Sequence, residues 1–219
     1  MPRQRRIVLP GYVYHITQRG NHKEAVFHEN QDNAVYLKYL QTYREKYGLK
    51  IFAFCLMGNH VHFIASPLQV NSLSLTFKMA HQRYAMYFHK KTERDGHLWQ
   101  GRFYSCLLLG RHLYEAIRYV EKNPVRANLV DKAWNYPWSS ANAHLGKEYK
   151  AIDLADIREI IDVADWGDYL MKKDNERFIK LIRTCTFKEK PMGPKSLLEA
   201  LEKKFKIGLI LKKRGRPLK

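Results

Sequence analysis

Residues 51–65 read Ile51-Phe52-Ala53-Phe54-Cys55-Leu56-Met57-Gly58-Asn59-His60-Val61-His62-Phe63-Ile64-Ala65. Two apolar runs, rich in β-branched and aromatic residues, flank Met57-Gly58-Asn59-His60, and that pattern predicts a β-hairpin. Successive side chains of a strand leave opposite faces. Val61 and Phe63 therefore point into a core, and His60 and His62 leave the other face together.

The flanking sequence supplies the rest of a sheet. Tyr12 to Thr17 reads as a strand that stops by Gly20. From Gln31 to Tyr47 the residues Tyr36, Leu40, Tyr43 and Tyr47 recur at helical spacing, with Gly48 in the stop position. A second helix starts near Asn71, carrying Leu73, Phe77, Ala80, Tyr84 and Phe88 on one side. After the Gly96–Gly101 break, Phe103 to Leu109 reads as a strand and Arg111 to Lys122 as a third helix. The order strand, helix, strand, strand, helix, strand, helix fits an α+β, ferredoxin-like antiparallel sheet with helices on one face. The other face is then expected to be free to bind something. Helical patterns around Ile157–Ile161 and Phe178–Ile182, and after Pro194, make residues 148–206 a small helical appendage. Residues 207–219 form a basic tail.

Composition limits the function classes. The chain has 219 residues, enough for one domain of ordinary size, and at 45% hydrophobic it can bury a core. No apolar run approaches the length of about 18 residues that spans a membrane. Ile7-Val8-Leu9 is too short for the apolar stretch of a secretory signal. The three cysteines Cys55, Cys106 and Cys185 form no CxxC pair, so a reducing cytoplasm is the expected location. With 39 basic and 21 acidic side chains the formal charge is +18, which attracts polyanions. Fourteen tyrosines and ten phenylalanines interleave with the basic groups, and rings that can stack on unpaired bases favour nucleic acid over a membrane surface.

His60 and His62 would hold their Cβ atoms roughly 7 Å apart, close enough for two imidazoles to meet one ion at about 2.1 Å each. Among ten histidines a bare His-x-His pair is also readable as two ordinary polar strand residues. In the third helix Leu113, Ala116, Ile117 and Val120 make the apolar stripe. Tyr119 projects about 100° from the middle of that stripe, and Asn123 follows one turn later on the same flank. Pro124 ends or kinks the helix there. An off-stripe tyrosine beside a potential ligand suits a nucleophile; an amphipathic ring at the edge of the core is the plainer alternative. His112, on the same flank, is assigned no role.

Leu56-Met57-Gly58-Asn59-His60-Val61-His62-Phe63 resembles the His-hydrophobic-His signature of single-strand-cutting endonucleases. Arg118-Tyr119-Val120-Glu121-Lys122-Asn123-Pro124-Val125-Arg126-Ala127 is similar to the tyrosine motif of the REP-associated tyrosine transposases within that superfamily. Thr17-Gln18-Arg19-Gly20-Asn21, Trp99-Gln100-Gly101-Arg102-Phe103 and Pro137-Trp138-Ser139-Ser140 stand where that family has similar stretches. The resemblance covers about residues 3–147. It implies a catalytic domain over residues 1–147 that cuts single-stranded DNA beside a palindromic hairpin. It further implies His60, His62 and Asn123 around a divalent metal, with Tyr119 as nucleophile. Neutral imidazoles alone would suit zinc or nickel; Mg or Mn is what the resemblance implies. It favours a monomer acting in cis, with a dimer as the alternative. A phenol is ionised to only about one part in a thousand at neutral pH, so a tyrosine nucleophile needs an electrophile sharpened by a metal. Attack would leave a covalent phosphotyrosine and a free 3′-hydroxyl.

Two rival readings differ in class. A non-catalytic binder of single strands or structured RNA would use the open sheet face, and a duplex-binding repressor would rely on the C-terminal helices and tail. Arg3, Arg5 and Arg6 form a basic arm that could meet phosphates or simply remain solvated. Arg214-Gly215-Arg216-Pro217 resembles a minor-groove hook, and equally a basic tail with no sequence preference. Residues 188–219 carry 11 basic and 3 acidic groups. Deleting residues 212–219 is expected to weaken DNA binding and flatten its salt dependence, since each phosphate contact adds roughly one unit to the slope. Filter-binding titrations at several salt concentrations check this, and identical slopes would show the tail to be idle.

Overall fold

A computed structural model of the chain describes residues 6–147, 149 and 151–209. The hairpin is present as β2 (Leu49–Met57) and β3 (His60–Pro67), antiparallel, with Met57 opposite His60. Gly58 and Asn59 alone make the turn. β1 (Val13–Arg19) pairs with β3, and β4 (Tyr104–Leu108) pairs with β1, both antiparallel, in the order β2-β3-β1-β4. Helix α1 (Asn30–Tyr47) joins β1 to β2, and α2 (Ser72–Thr92) joins β3 to β4. This is the expected ferredoxin-like α+β plan.

Local chemistry fixes the helices. At the start of α1, Glu29 and Asp32 cap each other's backbone reciprocally. Asp32 also accepts from Lys91 Nζ at 2.6 Å and Tyr87 Oη at 3.1 Å, which ties α1 to α2. Gly48, at φ 65°, ends α1 in the left-handed conformation its sequence position suggested. One face of the sheet meets these two helices. Tyr14, Ile16, Phe54, Val61 and Phe63 are buried there with Tyr36, Leu40, Phe77 and Tyr84, each burial contributing about 1.5–3 kcal/mol.

The second face is not open, as expected from the sequence, but covered. Helix α3 (His112–Glu121) lays Ala116, Ile117 and Val120 against β2 and β3. Two short helices, α4 (Asn123–Arg126) and α5 (Ala141–His144), follow, and Pro124 sits in the first turn of α4. Beyond them α6 (Trp166–Met171) packs on α3, and α7 (Glu176–Phe187) lies against β4 and β1. The helical segment 148–206 is therefore built onto the sheet through α6 and α7. Its last helix, α8 (Lys195–Phe205), adds Leu201 to the first core. A register shift between Ile51 and Ala53 turns Phe52 and Ala53 to the second core together. The unbroken apolar run of β2 is the signature of a strand buried on both sides.

The remaining motif stretches have structural work. Leu56 N–H donates to Trp138 O and Ser140 N–H to Phe54 O, so residues 138–140 close the β2 edge. Met192 closes the β4 edge through Leu107 and Leu109. Glu121, fully buried, accepts from Ser140 Oγ, His144 Nδ1 (2.7 Å) and Trp166 Nε1 (2.9 Å). Without that carboxylate the His144 and Trp166 N–H groups would lose their partner, at about 1–3 kcal/mol each, while the Ser140 hydroxyl also reaches Phe54 O at 3.3 Å. Gly20 is obligatory for space: a Cβ there would meet Glu24 O at 2.4 Å. Among the described residues, no helix is long and apolar enough to cross a membrane.

Candidate active site

The pleat of β3 puts His60 and His62 on the second face, with ring centroids 5.0 Å apart and ring planes at 85°. β1 runs alongside with Arg19 opposite His60 and Thr17 opposite His62. His15, on the same face of β1, stacks on His62 at 5.1 Å. From α3, Tyr119 brings its ring edge-to-face with both, 5.7 Å from His15 and 5.6 Å from His62. Asn123 follows at the start of α4. These side chains line one cavity of about 620 Å³, joined by Arg19, Lys23, Gln100, Arg126 and Arg183. No carboxylate among the described residues lines it.

Hydrogen bonds orient each group. Asn59 Nδ2 donates to Lys23 O at 2.9 Å, so its Oδ1, 2.6 Å from His60 Nδ1, accepts from that nitrogen. His60 Nε2 is then left with its lone pair. His62 Nδ1 is taken by His15 Nε2 at 2.9 Å, and Nε2 is again the spare nitrogen. Both amide protons of Asn123 go to carbonyls, of Tyr119 and Val120, at 3.1 Å each, which leaves Oδ1 as a spare oxygen. Tyr119 is held by its ring and its carbonyl. The Arg126 guanidinium lies 4.5 Å from the ring centroid and donates to Tyr119 O. Asp174 anchors that arginine at 3.1 Å.

Burial pushes the His15 pKa down to about 3. Burial, reinforced by Arg19 and Arg183, pushes His60 down to about 4. His62 is held well below the usual range by burial first and then by its histidine and arginine neighbours. All three rings are neutral at physiological pH, the form in which imidazole ligates a metal. Two neutral imidazole nitrogens and one amide oxygen fit a divalent cation that keeps further positions for water or substrate oxygens. Among the described residues, no group of three or more His, Cys, Asp or Glu side chains could hold a metal, so this mixed set is the candidate.

The sequence matches the family model "Transposase IS200 like" over residues 9–123, more than half of the chain. The chain belongs to the IS200-like transposases. A solved structure described as a REP-associated tyrosine transposase bound to a REP hairpin is similar to it, with a TM-score of 0.54 at 16% identity. That alignment covers 75% of this chain and 96% of the other, and at this identity it shows the fold alone. A candidate transposase from Deinococcus radiodurans R1 aligns at TM-score 0.39 and 19% identity, covering 56% of this chain and 97% of its own. No curated protein sequence matches the chain significantly.

In this transposase the four side chains singled out from sequence, His60, His62, Tyr119 and Asn123, converge on one cavity. Arg6 does not join them. It pairs with Glu189 at 3.0 Å, donates to Phe103 O at 2.6 Å and covers the Phe103 ring, so it serves the protein's own packing. Arg3, Arg5, Arg214 and Arg216 lie outside the described residues. Sequence reasoning passed over His15, Arg126, Arg183 and Thr186. A signal existed for His15, a histidine in step with Thr17 and Arg19 on an otherwise apolar strand. Arg126 was legible too, two helical turns past Tyr119. For Arg183 and Thr186 there was none.

The neutral histidines predict how transposase stability depends on pH. His15, His60, His62 and His81, the last also pushed down to about 3 by burial, have native pKa values below the ordinary value of about 6.5. The unfolded chain therefore takes up protons first as pH falls. Stability is complete above about pH 6.5 and is lost progressively towards pH 4 and below. Melting temperatures from pH 8 to 4 should be flat and then fall. A melting temperature unchanged down to pH 4.5 would contradict the assignment of buried, neutral rings.

Proposed function

We propose that this transposase cleaves and rejoins single-stranded DNA beside hairpin-forming repeats, through a covalent 5′-phosphotyrosine on Tyr119 and with a divalent metal. The observation that carries this reading is the convergence of Tyr119 with two imidazoles whose Nε2 atoms are spare. His60, His62 and Asn123 would hold the metal, Mg or Mn in keeping with the amide oxygen and the open positions. Bound there, the ion would draw negative charge from a non-bridging phosphate oxygen and make phosphorus more electrophilic.

This chain's own residues do the rest. Arg19, Lys23 and Arg183 bring positive charge to a cavity whose lining holds no carboxylate among the described residues, and Arg126, paired with Asp174, adds its guanidinium beside them, which suits a phosphodiester backbone. Phe187 is exposed and stacks on Tyr104 at 5.0 Å at the cavity rim. Its open ring face suits an unpaired base rather than a paired one. Edge contacts with His15 and His62 and the arginine over its face hold the Tyr119 ring in place. Its oxygen attacks phosphorus, the bond to O3′ breaks, and the phosphotyrosine stores the bond energy for joining a second DNA end. A hairpin partner is supported by the similar fold whose solved complex contains a REP hairpin.

The test is incubation of the full chain with single-stranded DNA from the flanks of its own gene plus Mg or Mn. Covalent adducts are read by denaturing gel and peptide mass spectrometry. Tyr119→Phe keeps the ring and its packing but deletes the attacking oxygen. Adduct and cleavage should both vanish while hairpin binding persists. His60→Ala with His62→Ala should abolish cleavage, and Asn123→Ala should raise the metal concentration needed. An adduct on Tyr119→Phe would mean another nucleophile, and cleavage without any adduct would mean attack by water.

A further inference from the structure

We infer that Asp174, in the loop between α6 and α7, is a positioning residue for Tyr119. It acts through Arg126, which it holds against the tyrosine ring, from a part of the chain well beyond the stretch that matches the family model. This inference rests on the reading of Tyr119 as nucleophile proposed above, and it names what aims that side chain.

The ring is bounded unevenly. Tyr119 is 5% exposed, and it meets His15 and His62 edge-to-face, at 85° in both contacts. Both imidazoles belong to the sheet, so they bound the phenol from that side. Arg126 supplies a different contact. Its guanidinium lies over the ring, 4.5 Å from the centroid, where the negative face of the π-system attracts a cation. Its Nη2 also donates to Tyr119 O, so one side chain ties both the ring and the backbone of the nucleophile.

An arginine stem has many rotamers to lose, and Arg126 lines the cavity assigned to a phosphodiester. An entering phosphate would compete for the guanidinium, whose fork suits phosphate oxygens. Asp174 decides that competition. Its Oδ2 takes Arg126 Nη1 at 3.1 Å, and its Oδ1 takes Lys122 Nζ at 3.2 Å. The three side chains are only 11–18% exposed, so salt and water screen these pairs less than surface ones. Arg126 Nε is enclosed with no partner among the described residues, so the other two nitrogens set where the guanidinium sits. The loop that carries the carboxylate is itself tied down. Lys122 Nζ donates to Lys172 O at 2.7 Å, and Asn175 caps α7 by accepting from Phe178 N–H at 3.1 Å.

The test uses the full chain, single-stranded DNA from the flanks of its own gene, and Mn²⁺. Asp174→Asn keeps the shape of the side chain and removes its charge. Single-turnover adduct formation should slow about tenfold to a hundredfold, the scale of a small misplacement of a reacting group. Hairpin binding should hold or tighten, because a negative charge beside the DNA site is gone. Lys122→Met, which removes the other partner of the carboxylate, should leave adduct formation unchanged. Arg126→Lys keeps the charge and loses the fork, and adding Asp174→Asn to it should cost nothing more. In protein labelled with 3-fluorotyrosine, the ¹⁹F signal missing from Tyr119→Phe belongs to Tyr119. That signal should shift or broaden in Asp174→Asn and stay in place in Lys122→Met. An unchanged adduct rate in Asp174→Asn would overturn the inference. So would a slower rate traced to weaker DNA binding, or losses that add in the double variant. If Asp174→Asn does not fold, Arg126→Lys decides: a displaced Tyr119 signal supports the clamp and an undisturbed one overturns it. If the wild type forms no adduct, or Tyr119→Phe still does, the nucleophile reading fails instead, and the ¹⁹F signal still judges the clamp.

Discussion

Val61, Phe63 and Ala65 are completely buried against α1 and α2, and that burial decides where His60 and His62 point. A strand has a strict two-residue period, so a one-residue slip would send the apolar side chains to the other face and drive the imidazoles into the first core. Each of the larger apolar groups contributes about 1.5–3 kcal/mol where it is, which holds the register firmly. The two-residue turn at Gly58-Asn59 sets the same register from the other end, because Met57 must face His60. Tyr119, Asn123 and the arginines are arranged around a histidine face fixed in this way.

A sheet with helices on one side would leave that face in water. Here α3, α6 and α7 cover it except at the cavity, so the histidines sit where burial keeps them neutral and hydrogen bonds keep them oriented. The cost of covering the face is met by long-range polar anchors. Glu121 gathers Ser140, His144 and Trp166 under α3, while Asp174 pairs with Lys122 and Arg126 beside the Tyr119 turn. These anchors account for part of why Arg118 to Arg126 is so rich in charged residues for a buried helix end. Such pairs leave the net charge of +18 unchanged, and Arg19, Lys23 and Arg183 bring part of that excess to the cavity wall.

Much of this was readable from the sequence because it depends on short periods. The hairpin, the shared face of His60 and His62, the helix carrying Tyr119 and the Gly48 stop follow from spacings of two to four residues. What escaped depends on contacts between distant segments. The cover over the second face involves α7, more than 100 residues after β2 in the chain. Its only local sign is the continuous apolar run of β2, which a helix-on-one-face plan does not require. Arg6 looked like part of a free basic arm, yet its partner Glu189 lies 183 residues away. Thr186 is one threonine in an amphipathic helix, and nothing in its neighbourhood marks it as the residue that meets His15.

The central proposal is that the β3 face and the α3–α4 turn together would hold one divalent metal beside the Tyr119 ring. Crystals of the full chain soaked in Mn²⁺, with diffraction recorded on either side of the manganese absorption edge, test it most directly. The account predicts one strong anomalous peak in the cavity, about 2.1–2.3 Å from Nε2 of both His60 and His62 and within ligand distance of Asn123 Oδ1. A peak on the Nδ1 side, a peak that engages only one histidine, or none in the cavity at saturating Mn²⁺ would contradict it.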